Sequence, residues 1–107
     1  MKFSVHLIAD AEQDIEELYT YVAQHDSPEK ASKLLDNIEQ TILSLASMPM
    51  RGHYPPELEQ IGVFDYREVF FKPYRIIYVV TKTDIYVHGI LDGRRDMQDL
   101  LQQRLLR

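Results

Sequence analysis

The sequence predicts a single α+β domain in which two helices pack on a small, mainly antiparallel sheet. Three observations predict it. Apolar residues recur with helical spacing through the first half of the chain, the second half holds three strand-like segments, and the connections between those segments are short. The 107 residues suit one domain, residues 1–107. We expect the order strand, helix, helix, three strands, helix, with the helical hairpin covering one sheet face.

An N-terminal strand is predicted by the segment KFSVHLI. Phe3, Val5 and Leu7 alternate with polar residues, so that they share one face. Asp10 follows and is expected to cap the first helix. The apolar residues of that helix recur every three or four positions, which gives one buried stripe. They are Ile15, Leu18, Tyr19 and Val22.

The second helix has the clearest signals in the chain. Ser27 suits the capping position, and Pro28 suits the first helical position, where its missing N–H has no helical partner to lose. Pro49 is expected to end the helix. Its apolar stripe consists of Ala31, Leu34, Leu35, Ile38, Ile42 and Leu45. The two helices should form an antiparallel hairpin.

Three strands are predicted after a loop. The loop, MPMRGHYPPELEQIG, is rich in proline and glycine. The segments that follow are rich in aromatic and β-branched residues, and their short connections predict an antiparallel meander. They are DYREVFF, YRIIYVV and IYVHGIL. The last segment, RDMQDLLQQRLLR, predicts a short helix that either docks on the sheet or frays.

The turn at Lys72-Pro73 leaves two strand registers open. With a two-residue turn, Phe71 pairs with Tyr74, and Arg67 and Arg75 lie on opposite sheet faces. A three-residue connection or a β-bulge brings both arginines to one face. The position of these cations therefore depends on a turn that the sequence does not determine.

Charge is distributed unevenly along the chain. The formal net charge is −5, yet every arginine follows residue 50, and the first fifty residues hold three lysines against nine acids. An acidic chain argues against non-specific nucleic-acid binding. A local cationic site in the second half stays open.

Several classes of protein are excluded by composition. The chain has no cysteine, so disulfides and thiolate zinc sites are excluded. The histidines do not stand at ligand spacing, and we expect neither a metal nor a cofactor. Neither a membrane-spanning run nor a signal peptide is recognisable, so a cytoplasmic protein is expected.

Four segments together resemble the RelE/ParE superfamily of bacterial toxins, and its ParE-like branch (often described as plasmid stabilisation proteins) most closely. They are SPEKA, LASMPMRGHYPPEL, DYREVFFKPYRIIY and ILDGRRD, and the resemblance covers nearly the whole chain. It implies the toxin of a type II toxin–antitoxin pair. The implied partner is a small cognate antitoxin whose extended segment wraps the toxin in a hetero-oligomer.

The resemblance implies one of two activities. ParE-like members inhibit DNA gyrase by binding it, whereas RelE-like members cleave ribosome-bound mRNA. A ribonuclease would use Arg67, Arg75 and Arg95 on the phosphate, with His88 as proton shuttle. However, the C-terminal segment DMQDLLQQRLLR lacks the Tyr or His that RelE-like ribonucleases usually carry. This favours a gyrase inhibitor with no chemistry of its own, and leaves a degenerate toxin that binds only its antitoxin as a further alternative.

The expected partner-binding residues are four arginines. They are Arg67, Arg75, Arg94 and Arg95. Three of them also have a plainer interpretation: Arg75 as a structural ion pair or a stem lying on the core, and Arg94 and Arg95 as local partners of nearby aspartates. The sheet face opposite the hairpin, together with an edge, is expected to be open to the antitoxin.

Overall fold

A computed structural model describes residues 2–106 of the chain. Its elements are β1 (Ser4–Leu7), α1 (Ala9–His25), α2 (Pro28–Leu43), α3 (Pro56–Glu59), β2 (Arg67–Phe71), β3 (Tyr74–Val80), β4 (Asp84–Asp92) and α4 (Met97–Leu105). The strands form one sheet in the order β1-β4-β3-β2. β1 runs parallel to β4, and the other pairs are antiparallel. The predicted α+β fold is confirmed.

The start of α2 matches the prediction from sequence. The Ser27 hydroxyl accepts a hydrogen bond from the backbone N–H of Lys30 at 3.1 Å, and Pro28 occupies the first helical position. This bond satisfies one of the amides that a helix start leaves without a helical partner.

The start of α1 differs from the prediction, because Asp10 lies inside the first turn and does not cap it. The residue before the helix is Ile8, which makes no side-chain capping bond. Its own N–H still donates to the carbonyl of Val87 on β4 at 3.1 Å. The chain therefore passes directly from strand to helix, and the negative charge of Asp10 lies near the positive end of the helix dipole.

Two further predictions from the sequence were wrong. α2 ends at Leu43 and continues as a 3₁₀ turn, Ser44–Ala46, so it stops before Pro49. The predicted loop also contains α3, whose first residue is Pro56. Four residues are too few for a helical period to be visible in a sequence.

The turn between β2 and β3 has the two-residue form. Phe71 pairs with Tyr74, and Phe70 pairs with Arg75. The Lys72-Pro73 peptide bond within the turn is cis. With this register, Arg67 and Arg75 lie on opposite faces of the sheet.

The helical hairpin buries one face of the sheet. The core on that side is built from α1, α2 and the inward residues of the four strands. Its fully or nearly fully buried members are Ala11, Ile38, Ile42, Leu45, Val69, Ile76, Tyr78, Ile85, Val87 and Ile90. The alternating residues of the first predicted strand, Phe3, Val5 and Leu7, pack against this core as expected.

The opposite sheet face is covered over much of its area, which corrects the prediction that it is open. α3 and α4 pack there on the middle of β3 and the end of β4. The buried residues of this second core are Leu58, Ile77, Leu91, Met97, Leu100 and Leu101. The apolar stripe of α4 reaches the sheet because Asp96 caps the helix immediately after the turn, accepting from the N–H of Asp99.

The part of the chain that the structure describes contains neither a membrane-spanning helix nor a cluster of metal ligands. No helix within residues 2–106 is long and apolar enough to cross a membrane. In the same range, no three histidine or carboxylate side chains are grouped so as to hold a metal ion.

Candidate partner-binding surface

Arg75 lies in a buried network of ion pairs. Its Nε donates to Glu68 Oε1 at 2.6 Å, and its Nη atoms donate to the two carboxylate oxygens of Glu57 at 2.9 and 2.6 Å. Only 9% of the Arg75 side chain and none of the Glu68 side chain is exposed. His53 Nε2 lies 2.9 Å from the other oxygen of Glu68 and extends the network to the loop before α3.

This network fixes Arg75 as a permanent cation between two carboxylates. The hydrogen bonds that Arg75 donates to Glu57 raise the pKa of Arg75, and the guanidinium in turn lowers the pKa of Glu57. Gly93 packs against the arginine stem, and a Cβ at that position would lie 2.9 Å from Arg75 Cδ. The network joins α3, β2 and β3. Its ion pairs direct the guanidinium N–H groups of Arg75 at the carboxylates of Glu57 and Glu68.

Arg67 lies apart from Arg75, at the start of β2 and on the hairpin face. Its Nη1 donates to the carbonyl of Gly52 at 2.8 Å, and its guanidinium lies 4.7 Å from the ring centre of Tyr54. Arg67 is three residues from Phe70, the strand partner of Arg75. At roughly 3.3 Å per residue, the two arginines are separated by about 10 Å along the strands.

Arg94 and Arg95 form the exposed cationic turn after β4. Arg94 donates to both carboxylate oxygens of Asp92, at 2.9 and 2.7 Å, but 72% of its side chain remains exposed. This pair lowers the pKa of Asp92. Arg95 is exposed and makes no ion pair within residues 2–106. An exposed pair of this kind contributes little to stability, so both guanidinium groups are available to a partner.

His88 lies in a β-bulge of β4, where the pairing shifts from Tyr78 with Val87 to Ile77 with Gly89. Its ring packs edge-on against Tyr66, with the ring centres 5.5 Å apart. Burial lowers the pKa of His88, so the ring is neutral at pH 7.

The structure gathers some of the predicted residues and separates others. Arg75 and Arg94 line one groove beside the β2–β3 turn, and Arg94 and Arg95 line another beside α1. Arg67 lies on the other face, and His88 is three residues from Leu91, the strand partner of Arg75. The four residues of the ribonuclease alternative therefore do not converge on one point.

Three acidic partners of the arginines were not predicted from the sequence. Glu57 and Glu68 neutralise Arg75, and the two-residue turn carried a signal for Glu68, since it places both side chains on one face. Asp14 on α1 pairs with Arg104 on α4, its two oxygens 3.2 and 2.8 Å from the Nη atoms. No local pattern predicts that contact, because it joins residues ninety positions apart.

Comparison with known proteins gives the family. A family model described as the ParE toxin of a type II toxin–antitoxin system, parDE, matches residues 5–97. Among solved structures, a chain of the chromosomal ParDE toxin–antitoxin system from P. aeruginosa matches with a TM-score of 0.70 at 21% sequence identity. The match covers 83% of this chain and 94% of that chain. No curated protein sequence matches.

The chain from the P. aeruginosa ParDE system shares the fold described above, with its N-terminal strand, helical hairpin and antiparallel meander. Because the family model spans most of the sequence, the chain belongs to the ParE toxins of type II toxin–antitoxin systems. The resemblance seen in the sequence is confirmed.

Proposed function

We propose that this toxin inhibits DNA gyrase by binding it, and that a cognate antitoxin neutralises the toxin by occupying its cationic surface. The observation that supports this proposal is the arrangement of the arginine side chains. Arg94 and Arg95 are exposed at the end of β4, whereas the donors of Arg75 are directed at Glu57 and Glu68. Such a surface is suited to recognise a protein.

The arrangement of the arginines and His88 fits a toxin that acts by binding a protein better than it fits a toxin that cleaves RNA. Cleavage by a 2′-hydroxyl requires a base, an acid and phosphate-binding cations within hydrogen-bond reach of one another. His88 packs edge-on against Tyr66, three residues along β4 from the strand partner of Arg75, and Arg67 lies on the opposite face from Arg75. We propose that Arg75 acts as a positioning residue for the loop before β2, with Arg94 and Arg95 making the partner contacts.

Arg67 is the remaining member of the proposed partner-binding set. Its guanidinium stacks on Tyr54, whose ring meets Phe64 edge-on at 5.3 Å, and 53% of Phe64 is exposed. Exposed aromatic and arginine side chains are typical of protein interfaces. We propose a second, separate contact of the target at this position.

Expression of the toxin without its antitoxin distinguishes gyrase inhibition from mRNA cleavage and from a degenerate toxin. We expect growth arrest with induction of the DNA-damage response and no mapped cuts in translated mRNA. Arg95→Ala should weaken the arrest, whereas Lys33→Ala, an exposed change on α2, should leave it unchanged. mRNA cuts that disappear with Arg95→Ala, an exposed change outside the buried network, would refute the proposal in favour of a ribonuclease, and normal growth would indicate a degenerate toxin.

A further inference from the structure

A buried tyrosine side chain contacts the backbone of the loop between α2 and α3. Tyr78 on β3 is completely buried, and its ring packs in the core beneath the helical hairpin. Its hydroxyl donates to the carbonyl of Pro49 at 2.8 Å and accepts from the N–H of Gly52 at 3.0 Å. Burial raises the pKa of Tyr78 further above neutral pH, so the hydroxyl keeps the proton that it donates.

Gly52 leaves no room for a side chain beside this hydroxyl. A Cβ at position 52 would lie 2.5 Å from the Tyr78 hydroxyl oxygen and 2.5 Å from the carbonyl oxygen of Glu68. Gly52 is also buried, so its N–H cannot turn to water if the hydroxyl is removed. The close approach of loop and strand therefore depends on both the glycine and the tyrosine.

The same glycine is connected to exposed side chains. The Gly52 carbonyl accepts from Arg67 Nη1 at 2.8 Å, and Arg67 is the strand partner of Tyr78. The Arg67 guanidinium lies over the ring of Tyr54, which in turn meets the exposed ring of Phe64. Direct contacts therefore lead from the buried hydroxyl to the surface at which we placed the second target contact.

Backbone hydrogen bonds hold the loop on either side of Gly52. Before it, the N–H of Arg51 donates to the carbonyl of Met48 at 3.2 Å, which closes a turn. After it, His53 exchanges two hydrogen bonds with Glu68 on β2, at 3.1 and 2.8 Å. The backbone groups of Gly52 itself are bonded to side chains instead. The position of its carbonyl, the acceptor for the guanidinium, therefore depends on the tyrosine hydroxyl.

We propose that Tyr78 is a positioning residue for the target contact at Arg67. Its hydroxyl fixes Gly52, and the Gly52 carbonyl holds the guanidinium over Tyr54, so that the contact is ordered before the target binds. A contact that is ordered in advance loses less conformational entropy on binding than a mobile one. The inference rests on the second target contact proposed above, whereas the positioning itself is a property of the free chain.

The first test uses the free, ¹⁵N-labelled full chain. Tyr78→Phe removes the hydroxyl and keeps the ring, and Tyr86→Phe makes the same change on a more exposed tyrosine of β4. We expect Tyr78→Phe to speed amide exchange at Gly52 about tenfold, because the amide loses its acceptor. It should also shift the Nε–H resonance of Arg67 and speed cleavage by trypsin after Arg51. Tyr86→Phe should change none of these.

A double-mutant cycle in the gyrase assay separates positioning from lost stability. Tyr78→Phe should weaken gyrase inhibition severalfold, and it should weaken inhibition no further when Arg67→Ala is already present. Combined with Arg95→Ala, its effect should be undiminished, because the turn after β4 is a separate contact. Ile85→Val lowers stability through the core without touching the loop and should leave inhibition unchanged.

Three outcomes would overturn the proposal. One is a Tyr78→Phe chain with wild-type exchange at Gly52 and an unshifted Arg67 resonance. Another is full independence of Tyr78→Phe and Arg67→Ala in the cycle. The third is an equal loss of inhibition in Tyr78→Phe and Ile85→Val, which would reduce the role of the hydroxyl to stability.

Failure of the proposed target has a different signature. A wild-type toxin that leaves gyrase uninhibited would overturn the gyrase proposal. The exchange rate at Gly52 and the resonance of Arg67 in the free Tyr78→Phe chain would still decide whether the hydroxyl positions the arginine.

Discussion

At the scale of single residues, the buried ion network around Arg75 determines how the sheet-rich half is held together. Glu68 is fully buried and Glu57 is 23% exposed on its side chain, so both carboxylates depend on the arginine for charge compensation. Removing one member of such a network leaves an uncompensated buried charge, which costs more than the pair itself contributes.

Arg75→Met is therefore expected to lower the free energy of unfolding by about 3 kcal/mol. The double variant Arg75→Met with Glu68→Leu should recover a large part of this loss, because it removes both buried charges. Urea denaturation measures both variants. A double variant as unstable as the sum of the two single variants would contradict this account of the network.

The network also predicts acid sensitivity. The pKa of Glu57 is lowered in the folded chain because Arg75 donates to its carboxylate. Its stabilising contribution is therefore present above the unfolded pKa, near 4.5, and is lost as the pH falls through the lower folded value. In urea denaturation between pH 6 and 3, Glu57→Gln should start less stable and lose less stability than the wild-type chain. Parallel pH profiles for the two would contradict the prediction.

At the scale of elements, the helices and strands that sequence predicted well are those with a complete local signal. α2 has a capping serine, a proline at its first position and a continuous apolar stripe, and Ser27 does accept the expected bond. α3 and the end of α2 were missed, because a four-residue helix and a 3₁₀ turn carry no period of their own.

The cap of α2 gives a matched pair of variants. Ser27→Ala removes the acceptor of the Lys30 amide and should cost about 1 kcal/mol of stability. Ser32→Ala, an exposed change within the same helix, should be neutral or slightly stabilising, since alanine has the higher helix propensity. Thermal and urea denaturation of both report the difference. Equal stability of the two variants would show that the cap contributes nothing.

The docking of α4 gives a second test at this scale. Leu101 is completely buried against the sheet, so Leu101→Ala should cost about 2–4 kcal/mol, whereas Gln102→Ala, exposed on the same helix, should change stability little. Urea denaturation distinguishes docking from fraying, the two alternatives that the sequence left open. A negligible cost for Leu101→Ala would mean that α4 adds no stability.

At the scale of the whole molecule, sequence predicted the fold better than it predicted where the arginines lie within it. The excess of arginine after residue 50 correctly indicated that the cations belong to the sheet-rich half. Their distribution over two faces depends on the two-residue turn, and the neutralisation of Arg75 depends on α3, which was not predicted. The ion pair between Asp14 and Arg104 joins positions ninety residues apart, and such a contact is visible only once the sheet is assembled.

The most direct test of the central claim is supercoiling by purified gyrase, titrated with the folded toxin and probed for trapped DNA cleavage. We expect inhibition in molar proportion to gyrase, with accumulation of cleaved DNA, and weaker inhibition by Arg94→Ala with Arg95→Ala at unchanged stability. Unimpaired supercoiling in a molar excess of toxin, shown to be folded by its urea transition, would contradict the proposal that gyrase is the target.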